Sequence, residues 1–148
     1  VAGTNAAAAK LALINLIKAS PPPNTLVDYA YVGKSDSASR QYLWGGKSTF
    51  QQDYSALRGG TKPRDEVLTI DLHLSVYQPG GAFEDTDAAC VAIGLVVETL
   101  IANDVQLGGT IPGLRYAGIE GGELDNSADD DGVESHITYH VIFKSRLF

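Results

Sequence analysis

The stretch VLTIDLHLSVYQPGG, residues 67–81, decides the fold. Leu68, Ile70, Leu72, Leu74 and Val76 fall on one side of an extended chain, and Thr69, Asp71, His73, Ser75 and Tyr77 on the other. A period of two marks a strand with one face packed and one polar. Pro79-Gly80-Gly81 ends it, because proline cannot donate to the ladder and glycine turns freely. The period then changes. Over residues 85–103, Ala88, Val91, Ala92, Leu95 and Val96 form a helical stripe, continued by Thr99 and Leu100, while Ile93, Val97 and Ile101 add a second apolar side. The stripe containing Leu95 is expected to pack on the sheet. Asp85 or Thr86 can cap this helix, and Asp87 suits its N-terminal dipole. Gly94 costs about 1 kcal/mol relative to alanine inside a helix, so close packing is expected there.

Working outward toward the C-terminus, Gly108-Gly109 opens a turn and residues 114–120 read as a strand. Residues 121–132 read as an acidic hairpin loop or longer excursion. Residues 133–146 alternate again, with Ile137, Tyr139, Val141 and Phe143 toward the core and His136, Thr138, His140 and Lys144 away from it. Toward the N-terminus, residues 26–33 and 40–44 read as strands. Residues 5–19 read as a helix with Ala9, Leu13, Leu16 and Ile17 at helical spacing, stopped by Ser20-Pro21-Pro22-Pro23. Residues 45–65 carry Gly45-Gly46, Gly59-Gly60 and Pro63 among mostly polar residues. They read as an extended arm, and a loop of that length usually has a task. The expected fold is α+β: one mostly antiparallel β-sheet, with an N-terminal helix and a main central helix on one face, plus the arm. Residues 1–148 form a single domain on this reading.

A chain of 148 residues is of one-domain length and buries roughly 70% of its unfolded surface without needing disulfides or metals. Cys90 is the single cysteine; it sits in an apolar stretch and reads as a small buried hydrophobe. The formal net charge of -7 repels phosphate and argues against general nucleic-acid binding. No apolar run reaches the ~18 residues of a membrane span. The sequence opens at Val1 without a basic-then-apolar leader, which reads as a cytoplasmic product.

Few chemical motifs survive testing. Gly46-Lys47-Ser48 resembles the end of a phosphate-binding loop, but Gln41 stands where the first glycine belongs. Asp129-Asp130-Asp131-Gly132 resembles part of a calcium loop, yet Thr138 occupies the position of the bidentate glutamate. His73, His136 and His140 share polar strand faces, but histidines four apart along a strand lie roughly 13 Å apart, too far for one ion. No serine lies in a nucleophile elbow. The residues point to no catalytic group, no cofactor and no metal.

The stretch from Val67 to Leu107 carries a resemblance. A long alternating strand, a Pro-Gly-Gly turn and a helix reading Asp85-Thr86-Asp87-Ala88-Ala89…Val97-Glu98-Thr99-Leu100 are followed by Leu107-Gly108-Gly109 and a strand. This order resembles the tail terminator (tail completion, or minor tail) proteins of long-tailed bacteriophages. The resemblance implies a structural virion protein of the tail or neck, assembled in the host cytoplasm and not an enzyme. Such a protein forms a hexameric ring that caps the tail tube, stops its polymerisation and joins the tail to the head. The implied partners are further copies of the chain, the tail tube protein and the head–tail connector or stopper protein. DNA would pass through the lumen without being read, and no membrane is involved. The arm residues Phe50, Tyr54, Leu57 and Arg58, with Trp44 at its base, are the mix that interface anchors favour and are the candidate partner-binding residues. The alternatives are a head-side neck (stopper or adaptor) protein and, from another class, a small cytoplasmic α+β enzyme or ligand-binding domain.

Overall fold

The computed structural model describes residues 3–31, 41–54 and 63–147, without the side chain of Tyr54. In chain order the elements are α1 (Ala6–Ala19), β1 (Leu26–Asp28), β2 (Gln41–Tyr54), β3 (Arg64–Pro79), α2 (Phe83–Asn103), a 3-10 turn (Leu107–Gly109), β4 (Leu114–Ala128) and β5 (Gly132–Leu147). The five strands form one sheet in the order β1-β2-β3-β5-β4. Every pairing is antiparallel except the short β1–β2 contact. The α+β expectation therefore holds.

The alternation read in residues 67–77 governs the centre of the sheet. Leu68, Ile70, Leu72, Leu74 and Val76 are buried, and in β5 so are Ile137, Tyr139, Val141 and Phe143. Register explains why they act together: Leu68 faces Phe143, Ile70 faces Val141, Leu72 faces Tyr139 and Leu74 faces Ile137. Directly opposed residues point to the same side of a sheet, so the two strands present one apolar surface. These side chains join Ala9, Leu13, Ile14 and Ile17 of α1 and Cys90, Ile93, Val97 and Ile101 of α2 in a single core cluster.

Four sequence expectations are corrected. First, residues 45–54 and 64–65 are not loop. They continue β2 and begin β3, paired from Ser48↔Ile70 to Tyr54↔Arg64. The two glycines that read as a loop mark a bulge between Gly45 and Ser48. A Cβ on Gly45 would lie 2.8 Å from the Tyr29 carbonyl oxygen, and one on Gly46 would strike the His73 ring. Glycine here serves close approach rather than a turn. Gly46-Lys47-Ser48 thus lies within a strand and precedes no helix, unlike a phosphate-binding loop. Second, β4 continues to Ala128. The acidic loop is only the tight turn after it, where Asp129 Oδ1 accepts from the N–H groups of Asp131 (2.9 Å) and Gly132 (2.8 Å). Third, the strand expected over 26–33 is limited to Leu26–Asp28; residues 32–40 lie outside the described residues.

The fourth correction concerns α2, which starts at Phe83 with Ala82 as its N-cap rather than at Asp85 or Thr86. Its buried face is Thr86, Cys90, Ile93, Gly94, Val97 and Ile101. Leu95 is 62% exposed and Val91 54% exposed. Two apolar stripes overlap on this helix, and periodicity alone does not rank them. The sheet takes the stripe containing the small residues. A Cβ on Gly94 would collide with the Tyr139 hydroxyl and lie 3.2 Å from its ring carbon Cζ. The glycine's close packing was expected; the face it selects was not.

Candidate functional site

Three features of the described residues are surplus to folding. The first is the outer stripe of α2. Ala88, Val91, Ala92, Leu95 and Thr99 lie at helical spacing and are all exposed. Beside them a groove of about 370 Å³ is lined by Pro23, Asn24, Gln41, Ala89, Ala92, Ile93 and Val96. An isolated domain leaves single apolar residues in water without consequence, but a continuous apolar helix face is the signature of a contact surface.

The second feature is the polar face of the sheet. Trp44 faces His73 across β2–β3, and His73 faces Thr138 across β3–β5. The Trp44 and His73 rings stack with centroids 5.2 Å apart, and His136 meets both edge-on. His73 Nδ1 lies 2.9 Å from His136 Nε2 and 3.3 Å from Thr138 Oγ1. Burial, with the neighbouring His136 adding to it, holds the His73 imidazole below its ordinary pKa. One turn of register further along, His140 Nδ1 bonds Asp71 Oδ1 at 2.8 Å, and this bond raises the His140 pKa. The histidines therefore split: His136 joins His73, and His140 joins Asp71. Among the described residues no group of three or more His, Cys, Asp or Glu side chains is arranged to hold a metal ion.

The third feature is the sheet's edges. β4 is the terminal strand, and its residues 120–128 are all exposed. Among the described residues β1 pairs only with residues 42–44 of β2. Among the described residues, the outer edge of β2 beyond that point has no strand beside it. Edges of this kind are templates for another chain.

The candidate partner-binding residues do not converge. Trp44 belongs to the polar face. Phe50 is 51% exposed and stands opposite Leu68, hence on the other face. Tyr54 pairs with Arg64 through the backbone at the end of the hairpin. Leu57 and Arg58 lie outside the described residues. Sequence reasoning missed Glu134, His136 and Tyr31 as neighbours of Trp44. The shared parity of His73, Ser75 and His136 on two alternating strands was the signal for part of this cluster, but the pairing of β3 with β5 had to be known to use it.

No family model matches the chain, and no curated protein matches it in sequence. No helix among the described residues is long and apolar enough to cross a membrane.

Proposed function

We propose that this chain is a structural ring subunit, a tail terminator that caps a phage tail tube, stops its growth and joins it to the head connector. The observation that carries the ring is the uncovered α2 stripe centred on Val91 and Leu95, 54% and 62% exposed in the single chain. Burying the part of each side chain that remains exposed is worth about 1–2 kcal/mol, which favours a protein partner on that face. In the ring the partner is the next copy of the chain. The stripe of one copy meets a different surface of its neighbour, and head-to-tail contacts of this kind close into rings when the rotation allows. The resemblance in the order of elements from Val67 to Leu107 supplies the terminator assignment. The net charge of -7 suits a channel that passes DNA without holding it. On this reading the protein is not an enzyme, and it resides in the tail or neck of the virion.

Negative-stain images of the purified chain test the proposal. Closed rings of one diameter, with a central channel wide enough for duplex DNA, are the expected result. Monomers, isologous dimers or open spirals would refute it. A head-side neck protein would give the same rings, and the two are separated by mixing with tail tube protein: a terminator binds the tube end and arrests its elongation.

A further inference from the structure

The two ends of the sheet are complementary. At one end stands β4, whose residues 120–128 are all exposed. Leu124 faces Ile137 in register, so it lies on the helix face of the sheet, yet it is 45% exposed. α2 sets more apolar surface beside it. Asp87 Oδ1 accepts from Asn126 Nδ2 at 2.7 Å, and two turns further along the helix Gly94 packs against Tyr139, the register partner of Gly122. Val91, midway between Asp87 and Gly94, therefore stands level with Leu124, and Leu95 follows one turn on. Leu124, Val91 and Leu95 make an exposed apolar strip along the edge of the sheet.

At the other end, residues 46–54 of β2 have no strand beyond them among the described residues. Phe50 faces Leu68, so it too lies on the helix face, and it is exposed. The strand senses also match. The β2–β3, β3–β5 and β5–β4 pairings are all antiparallel, so β4 runs opposite to β2. Two copies set side by side, helices on the same side, bring β4 of one against β2 of the next as an antiparallel pair. Charge follows the same division. α2 and residues 120–128 carry seven Asp and Glu residues and no Lys or Arg. α1, which packs on β1 and β2, carries Lys10 and Lys18 and no acidic residue. The Lys10 flank of α1 is turned toward β2, since a Cβ on Gly45 would strike the Lys10 side chain.

We propose that β4 of one copy pairs antiparallel with residues 46–54 of β2 of a second copy, so that the sheet continues from chain to chain and Phe50 covers the Leu124–Val91–Leu95 strip. This names the surface that the α2 stripe meets, and it rests on the ring reading. The backbone groups left over at both edges then find partners in each other. In the register that sets Phe50 opposite Leu124, Thr49 meets Asp125 and Gln51 meets Glu123, and no carboxylate opposes another. A β4–β4 pairing would instead set one acidic strand against its own copy, which opposed like charges penalise. Phe50 supplies the aromatic anchor in a contact otherwise made of backbone and small side chains.

Cross-linking of the full chain tests the pairing. Gln51→Cys and Glu123→Cys are placed in one chain and treated with a short bis-maleimide before denaturation; Cys90 is buried and does not compete. The expected result is a ladder of covalent multimers from the double variant and none from either single variant. Phe50→Asp, shown to be folded by circular dichroism, should fall to the mass of one chain. Dimers from Glu123→Cys alone would mean β4–β4 pairing and overturn the proposal. An assembled double variant without the ladder, or a Phe50→Asp variant that assembles undisturbed, would overturn it while leaving the ring reading intact. A native chain that stays single at high concentration removes both.

Discussion

Gly94→Ala tests how α2 sits on the sheet. In a solvated helix this change stabilises by about 1 kcal/mol, because alanine loses less backbone entropy than glycine. Here the new methyl group would stand closer to the Tyr139 hydroxyl than real Cβ atoms come to any atom, with the ring carbon Cζ at 3.2 Å. Tyr139 is 8% exposed and belongs to the core cluster, so its ring has little room to swing away. Overpacking of this kind costs about 1–3 kcal/mol, and the severity of the contact favours the upper half. Subtracting the helix gain leaves a net loss of about 1–2 kcal/mol, or a melting temperature lower by roughly 2–8 °C. Tyr139→Phe removes the atom that is struck. In the Y139F background, Gly94→Ala should be neutral or stabilising, giving a coupling energy of about 2 kcal/mol in a double-mutant cycle. Urea unfolding of the four proteins, followed by circular dichroism, supplies the values. If Gly94→Ala stabilises the otherwise unchanged chain, or if the two substitutions are additive, α2 does not lie on β5 as described.

Further outcomes follow from Glu66, from the two histidines His73 and His140, and from Cys90. Glu66 is 1% exposed and accepts from the Asn5 backbone N–H at 3.0 Å and from Gln52 Nε2 at 2.9 Å. Glu66→Ala should cost about 1–3 kcal/mol for the donors it strands, and Glu66→Gln less; equal effects in denaturant melts would refute the pairing. His73, held below its ordinary pKa by burial, binds fewer protons folded than unfolded. Its contribution to stability is therefore complete above about pH 6.5 and lost as pH falls through the folded value. His140 has the opposite sign: its raised pKa gives a contribution that is complete below about pH 6.5 and lost as pH rises through the folded value. The stability of the native chain relative to His73→Gln should fall from pH 7 to pH 5, and a constant gap would contradict this. Cys90 is fully buried, and burial pushes its thiol up to about 11. Labelling by a thiol reagent at pH 8 should be on the order of a hundredfold slower than in the unfolded chain; fast labelling of the native protein would place Cys90 at the surface.

Much of this architecture is legible in residue order alone. The core strands announce themselves because Leu68 to Val76 and Ile137 to Phe143 alternate without interruption, and each is buried on one face. Gly94 signalled a tight contact because glycine is costly in a helix. Three things were not legible, each for a physical reason. The extension of β2 through Gly45-Gly46 was hidden because a bulge glycine and a loop glycine look alike; the difference lies in the Tyr29 carbonyl and the His73 ring that crowd them. The outer half of β4 was hidden because an exposed edge strand has no apolar parity to display. The exposure of Val91 and Leu95 was hidden because α2 is apolar on both sides, and only the shape of the sheet chooses between them. The Trp44 cluster combines β2 and β5, which are not neighbours in the sheet, so the parity of His73 and His136 hinted at one half of it and nothing in local sequence joined Trp44 to them.

The exposed side of α2 is where the functional account is most open to test. Leu95→Ala should change the stability of a single chain by less than about 0.5 kcal/mol, because the side chain is already in water; assembly is a different matter. The decisive measurement is the mass of the purified protein by multi-angle light scattering, taken beside Leu95→Asp, whose fold is verified by circular dichroism. The account predicts a native mass near six times the 15.7 kDa of one chain, and a folded Leu95→Asp variant at the mass of one chain. A native protein that stays at one chain's mass at high concentration, or a Leu95→Asp variant that assembles undisturbed, would contradict it.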